Sequence, residues 1–136
     1  MDYQELYRLA CEARLQAHNP YSHFAVGAAL ETRSGKVYVG CNVENASYGG
    51  CICAERTAFV KAISEGERDF ARIAIVGGKN GEPLQFCAPC GICRQFMAEF
   101  CSPSDFEVIL YDPDGTPHAY TLGELIPLQF TEKDVL

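Results

Sequence analysis

Apolar side chains recur every three or four positions in three parts of the chain, a spacing typical of amphipathic helices. The helices are predicted over residues 3–18, 53–65 and 91–101. Asn19-Pro20 ends the first helix, because a proline disfavours helical backbone in the residue before it. Gly66 ends the second, and a short fourth helix is predicted over residues 121–125.

Runs that are continuously apolar, or that alternate apolar and polar residues, lie between these helices and predict strands. Their ranges are 24–32, 37–43, 71–76, 106–111 and 117–121, the last as an edge strand. A turn at 33–36 joins the first two strands as a hairpin, and residues 77–85 are predicted as a loop. Helices and strands alternate in the second half, which predicts an α/β fold with helices on both faces of a mixed sheet.

Length, charge and cysteine content narrow the class of protein. The 136 residues, 48% of them hydrophobic, are expected to form a single domain spanning residues 1–136. The formal net charge of -7 argues against a nucleic-acid partner, because polyanion binders need lysine and arginine. The apolar runs are too short to cross a membrane and no secretory signal is recognisable, so we expect a cytoplasmic protein. Eight cysteines then favour reduced thiols and metal ligation over disulfides.

Two cysteine motifs stand at predicted helix starts. Cys53 and Glu55 lie two residues apart at the start of the second helix, and Cys90 and Cys93 form a Cys-x-x-Cys pair at the start of the third. Thiols three residues apart on a helix lie on one side and can bind one metal ion. The positive end of the helix dipole favours their thiolate form. These motifs predict a metal centre.

Three thiolates leave one tetrahedral position of a zinc ion open, which distinguishes a catalytic zinc site from a structural one. Water in that position becomes acidic enough to act as a nucleophile near neutral pH. Glu55 is then placed to take its proton and pass it to a leaving amine. Because three thiolates outweigh the charge of zinc, we predict that Arg56 hydrogen-bonds a ligand sulfur and compensates part of that charge.

The spacing Cys53-x-Glu55, followed by Pro89-Cys90-x-x-Cys93, is similar to the signature of the zinc nucleobase deaminases. With cysteine as the first ligand, the chain resembles the small cytidine deaminases over nearly its whole length. The matching segments are residues 20–22, 24–30, 40–48, 53–58, 89–95 and 124–127, together with Phe130.

This resemblance implies a three-layer α/β/α sandwich with a mixed, roughly five-stranded sheet. It implies a homotetramer with sites shared between subunits, and one zinc ion per subunit bound by Cys53, Cys90 and Cys93. The implied reaction is hydrolytic deamination of cytidine and deoxycytidine in pyrimidine salvage, with Glu55 as the proton shuttle. The implied substrate contacts are Asn42 and Glu44 at the ribose hydroxyls, Phe24 at the pyrimidine, Ala46, Tyr48 and Ala54 around the pocket, and Phe130 at a neighbour's site.

The residues alone leave structural alternatives open. Cys87 is also spaced to pair with Cys90, and Cys51 could replace Cys53, although simple packing is the favoured interpretation of both extra thiols. The ring of Phe24 or Phe130 could belong to the core. Asn42 and Glu44 could instead organise the loop that follows their strand.

Two other functions compete with nucleoside deamination. The same chemistry could act on another cytosine-containing small molecule, such as a nucleoside antibiotic. Alternatively, the metal could be structural in a module that binds a partner protein. A structural site is closed by four ligands, so it would need Cys51 or Cys87 as the fourth.

Overall fold

The computed structural model describes residues 1–136 and contains five strands and four α-helices. In chain order these are α1 Tyr3–Arg14, β1 Phe24–Thr32, β2 Val37–Cys41, α2 Ala54–Ser64, β3 Phe70–Lys79, α3 Gly91–Phe100, β4 Glu107–Tyr111, β5 Pro117–Thr121 and α4 Leu122–Leu125, with short 3₁₀ turns at Tyr48–Gly50 and Glu132–Asp134. No helix has both the length and the apolar character needed to span a membrane.

The strands form one mixed sheet in the order β2-β1-β3-β4-β5. The pair β3 and β4 is parallel, and the other neighbouring pairs are antiparallel. Successive residues of β1 enter two separate cores, since Ala28 packs with α2 and α3 whereas Ala29 packs with α1. Helices therefore cover both faces of the sheet, which confirms the three-layer α/β/α prediction.

The first helix is shorter than its apolar spacing predicted, because it ends at Arg14 instead of residue 18. The amides of residues 15–17 bond three residues back, which tightens the last turn. His18 lies beyond the end of the helix. Its backbone amide donates to the carbonyl of Asn42, and His18 forms an isolated parallel β-bridge with Val43. A contact between distant parts of the chain thus overrides the local pattern.

The third strand is longer than predicted, because it continues through Gly77 and Gly78 to Lys79. These residues pair with the beginning of β1, where Gly77 lies opposite Val26 and Lys79 opposite Phe24. A methyl group at Gly77 would lie 2.7 Å from the sulfur of Cys87. Glycine at this position therefore allows Cys87 to pack closely against the strand, and it does not mark a turn. The prediction of a loop over residues 77–85 was therefore wrong at residues 77–79, whereas residues 80–85 lie outside the strand.

The second strand ends at Cys41 and not at residue 43, because the side chain of Asn42 turns back onto β1. Its amide group donates to the carbonyl of Phe24 at 2.8 Å and accepts from the backbone of Val26 at 2.8 Å. The Asn42 side chain thus continues the contact with β1 past the end of β2, beside the backbone hydrogen bond from the Asn42 amide to the carbonyl of Val26.

Gly40 sets the distance between β2 and helix α2. A methyl group built at Gly40 would lie 2.5 Å from the carbonyl oxygen of Ala54 and 2.6 Å from the amide nitrogen of Ala58. Both are backbone atoms of the first turns of α2 and cannot rotate away. The start of α2, which carries Cys53 and Glu55, rests on the sheet only because residue 40 is glycine.

We expect Gly40→Ala to destabilise the fold by about 1–3 kcal/mol, because the added methyl group overpacks the contact with α2. Urea unfolding followed by circular dichroism measures this effect. Gly49→Ala is the matched control, since a methyl group at Gly49 meets no atom within 4 Å. Equal unfolding midpoints for the two variants would contradict the close-contact role of Gly40.

Candidate metal centre and active site

Two helix starts meet on the same face of the sheet and bring three thiols together. Cys53 is the N-cap of α2, Cys90 is the N-cap of α3, and Cys93 lies in the first turn of α3. Their sulfur atoms all lie within 4.8 Å of one another. Neither N-cap thiol accepts a hydrogen bond from a backbone amide of the helix that it begins. The sulfurs of Cys53 and Cys90 are therefore available to a shared ion.

The spacing of the sulfurs suits zinc. The Cys53 and Cys90 sulfurs lie 3.8 Å apart. Sulfurs bound tetrahedrally at about 2.3 Å from zinc are separated by about 3.8 Å, so little movement is needed for both to bind one ion. A set of three thiolates is also the soft ligand set that zinc accepts and that magnesium or calcium does not.

The remaining candidate thiols lie outside this cluster. The sulfur of Cys87 packs against Gly77, and that of Cys51 hydrogen-bonds the backbone of Asn45. Neither is grouped with the three sulfurs that could hold a metal. The cluster thus has three ligands and no fourth thiol, which leaves a tetrahedral position open.

Hydrogen bonds among the thiols drive their acidities apart. The pKa of Cys53 is lowered to about 5, first by a hydrogen bond from Cys93 and then by those from Arg56 and Cys90, against the opposing effect of burial. The pKa of Cys93 is raised by the same hydrogen bond with Cys53 and by burial. One negative charge is therefore favourable here and three are not, unless a bound cation offsets the repulsion.

Glu55 is a buried carboxyl beside these thiols, in the first turn of α2. It is only 4% exposed, and its Oε1 atom has no hydrogen-bond partner. Burial raises its pKa to about 7, with a further contribution from the charge of Cys53. A carboxyl with a pKa near neutrality can both accept and deliver a proton at physiological pH.

Arg56 forms the hydrogen bond to a ligand sulfur that the sequence predicted. Its Nη2 atom donates to the sulfur of Cys53 at 3.5 Å. This contact and a hydrogen bond to Cys93 raise the pKa of the guanidinium. A permanent positive charge therefore lies beside the thiol cluster.

Phe24 and Ala54 lie at the inner end of this region. The half-buried ring of Phe24 and the sulfur of Cys87 both lie against Gly77, where a built methyl group would be 3.1 Å from Phe24 Cε1 and 2.7 Å from the Cys87 sulfur. Burial and, after it, the charges of Glu55 and Cys53 raise the pKa of Cys87 to about 11. Cys87 and Cys53 both pack against the same hydrophobic core. Ala54 is fully buried directly after Cys53.

Asn42 and Glu44 organise the polypeptide around them. The Asn42 amide holds the start of β1, as described above. Glu44 accepts hydrogen bonds from the backbone of Tyr21 and Ser22 and from the Ser22 hydroxyl, and that hydroxyl contact lowers its pKa. Glu44, Tyr21 and Ser22 line a cavity of about 320 Å³ together with Tyr48 and Cys51. The structural role considered for both residues is therefore present.

Ala46, Tyr48 and Phe130 are exposed instead of being gathered around the thiols. Tyr48 is 73% exposed and stacks edge-on against Tyr21, with the ring centroids 5.8 Å apart. Phe130 is 59% exposed, and its carbonyl accepts from the side chain of Gln95 at 2.7 Å. Ala46 lies on the exposed loop before Tyr48.

Two contacts at the site had not been assigned a role from the sequence. Ser22 fixes the carboxylate of Glu44, and Arg94 hydrogen-bonds the carbonyls of Pro89 and Leu125. Both lie within segments that resemble the small cytidine deaminases, but nothing in their spacing indicates the partners. The partners become visible only when the chain is folded, because Ser22 and Glu44 are 22 positions apart and Arg94 and Leu125 are 31 apart.

Comparison with known proteins gives a consistent result. The family model for the cytidine and deoxycytidylate deaminase zinc-binding region matches residues 1–108. The cytidine deaminase of Halalkalibacterium halodurans is 49% identical over 135 residues, which cover 99% of this chain and 98% of that protein. The crystal structure of cytidine deaminase from Burkholderia pseudomallei has a TM-score of 0.87 and 48% identity, covering 96% of this chain and 100% of that one.

A more distant relative is the blasticidin-S deaminase of Bacillus cereus, 30% identical over 131 residues that cover 93% of this chain and 91% of that protein. The family model spans both helix starts that carry the three thiols, and the description of that region names zinc as its metal. The fold, the three-thiol centre and the full-length relatives agree. The chain belongs to the family of zinc-binding cytidine and deoxycytidylate deaminases.

Proposed function

We propose that this protein is a hydrolytic deaminase that converts cytidine and deoxycytidine into uridine and deoxyuridine and releases ammonia, as a single catalytic domain. The observation that carries the proposal is the buried Glu55 carboxyl, with an oxygen that has no partner, next to a three-thiol centre with an open position. A structural zinc module has no use for either feature. The names of the full-length relatives support the choice of substrate.

Cys53, Cys90 and Cys93 would hold the zinc ion. When bound, zinc supplies a Lewis acid that makes water in its open position nucleophilic near neutral pH. Arg56 and the N-termini of α2 and α3 offset the excess negative charge of the three thiolates, which would otherwise weaken that Lewis acidity.

Glu55 moves the protons of the reaction. Its carboxylate accepts one proton from the attacking water and delivers it to N3 of the pyrimidine as the oxygen adds to C4. It then passes the second proton to the amino group, which leaves as ammonia while the C4 carbonyl forms. Burial supports this order of steps because it raises the carboxyl pKa to about 7, and a group with that pKa can both accept and donate a proton near neutral pH.

Asn42 and Glu44 are proposed to bind the sugar hydroxyls. Each amide atom of Asn42 makes one hydrogen bond to β1, so one N–H and one lone pair remain available. Glu44 lines the cavity near Tyr21 and has a carboxylate suited to a diol. Phe24 and Ala54 are proposed to contact the pyrimidine ring at the inner end.

We also propose a homotetramer in which Phe130 completes the site of a neighbouring subunit, and Ala46 and Tyr48 line the pocket. The support is their exposure, which leaves two large aromatic rings in solvent in the single chain. The outer face of α3 carries exposed Ile92 beside the half-buried rings of Phe96 and Phe100 and offers an apolar contact surface. We propose a reducing compartment such as the cytoplasm for this protein, because all eight cysteines are free thiols.

A substrate panel followed by ultraviolet absorbance tests the activity. We expect turnover of cytidine and deoxycytidine, little or none of cytidylate or blasticidin S, and loss of activity with a zinc chelator.

Glu55→Gln should retain zinc and lose about 100- to 10,000-fold in kcat, because the amide cannot carry the proton. Normal turnover by Glu55→Gln would disprove the mechanism, and preferential turnover of blasticidin S would reassign the substrate.

Arg56→Ala tests the compensation of charge. We expect about a 10- to 100-fold loss in zinc affinity or kcat, because a hydrogen bond to the ligand Cys53 is removed. Zinc content and steady-state rates measure the two effects. Arg68→Ala is the control, since Arg68 contacts only backbone carbonyls at the other end of α2. Zinc binding and turnover like those of the control would show that Arg56 has no such role.

Shared sites predict complementation between inactive variants. In mixed assemblies of Glu55→Gln and Phe130→Ala chains, some sites combine the Glu55 of one subunit with the Phe130 of another, so activity should exceed that of either variant alone. Glu55→Gln mixed with Arg56→Ala is the control, because both residues act in the same chain and cannot complement. Activity no greater than the sum of the two parents would contradict sharing through Phe130.

A further inference from the structure

The loop that presents Cys90 to the metal centre is held by very few hydrogen bonds. Residues 86–89 make no backbone–backbone hydrogen bond and belong to no helix or strand. The one hydrogen bond that reaches this segment comes from the Nε atom of Arg94, which donates to the carbonyl of Pro89 at 2.8 Å. The position of the loop before Cys90 therefore depends on one side chain and on local packing.

Arg94 contacts both carbonyl groups that flank the Cys90 side chain, one through its guanidinium and the other through the ordinary helical hydrogen bond of the first turn of α3. Its guanidinium binds the carbonyl of Pro89, and its own backbone amide donates to the carbonyl of Cys90 at 3.0 Å. These two contacts fix the peptide planes on either side of the Cys90 α-carbon. The direction of the Cys90 Cα–Cβ bond follows from those planes, and the sulfur, which makes no capping hydrogen bond, lies 3.8 Å from that of Cys53.

The other end of the same guanidinium reaches the C-terminal part of the chain. The Nη1 atom of Arg94 donates to the carbonyl of Leu125, the last residue of α4, at 2.7 Å. No carboxylate lies within ion-pair distance of Arg94. The positive charge thus strengthens two hydrogen bonds to backbone carbonyls, one of them at a helix C-terminus where a cation is favourable.

We propose that Arg94 is a positioning residue that orients Cys90 for zinc and links the metal centre mechanically to α4. Arg94 touches neither the substrate nor the metal, and it acts through the peptide groups around Cys90. The proposal rests on the three-thiol zinc site of the proposed function. A lysine cannot replace it fully, since one ammonium group lacks the rigid fork that reaches two carbonyls in fixed directions.

Zinc release from the intact protein tests this proposal without any measurement of turnover. Zinc-loaded wild type, Arg94→Gln and Arg94→Lys are mixed with a chromophoric chelator, and the rate and midpoint of transfer are recorded. We expect about a 10- to 100-fold loss of zinc affinity in Arg94→Gln and a smaller loss in Arg94→Lys. Arg68→Gln is the matched control, because Arg68 also binds two backbone carbonyls, at 2.9 and 2.8 Å, but far from the thiols.

The outcomes separate a positioning role from a general loss of stability. The proposal would be overturned if Arg94→Gln and Arg68→Gln both released zinc as slowly as the wild type, whether or not the protein deaminates cytidine. Equal loss of zinc in the two variants would also overturn it, because the effect would then be global. If Arg94→Gln fails to fold, Arg94→Lys decides between the same outcomes.

A double-mutant cycle tests the link to α4. Thr121 caps α4, with its hydroxyl accepting from the amide of Glu124, and Thr121→Val removes that cap. We expect Thr121→Val to speed zinc release when Arg94 is present and to have little further effect in Arg94→Lys. Independent, additive effects of the two substitutions would show that α4 and the metal centre are not coupled through Arg94.

Discussion

Mutual repulsion among three closely spaced sulfurs is the constraint on which this structure depends. The hydrogen bonds that favour a thiolate at Cys53 disfavour one at Cys93, so the protein alone stabilises only part of the charge that a zinc site requires. The rest of the negative charge has to be offset by positive groups around the sulfurs. These are two helix N-termini, the guanidinium of Arg56 and a divalent cation. The fold therefore has to bring two helix starts together and keep their first turns in place.

The sheet meets this requirement through close backbone contact. Gly40 lets the first turn of α2 rest against β2, and Gly77 leaves room for Cys87 and the ring of Phe24 above β3. The two positions serve opposite sides of the site, because one supports the helix that carries Glu55 and the other supports the segment that leads to Cys90. Side chains at either position would separate elements that chemistry requires to be adjacent.

Local patterns in the sequence were sufficient for the parts of the molecule that local interactions determine. The strand positions and the two helix starts follow from periodicity, and spacing places Cys53, Cys90 and Cys93 at those starts while leaving Cys51 and Cys87 as alternative ligands. The end of α1 and the extension of β3 do not, because His18 is drawn to Asn42 and Gly77 to Cys87 by tertiary contacts. Substrate roles for Asn42 and Phe130 likewise cannot be derived from spacing, since both residues also have structural contacts.

The distribution of satisfied and unsatisfied polar groups supports the proton-transfer role that we propose for Glu55. Asn42, Glu44 and Arg94 all find hydrogen-bond partners in the protein, and each binds backbone groups of another segment of the chain. Glu55 instead buries an oxygen without a partner, which costs about 1–3 kcal/mol of folding stability. A carboxyl with only a structural role would gain stability by acquiring a donor. The cost is offset only when a proton or substrate donor arrives at that oxygen, as proton transfer during deamination requires.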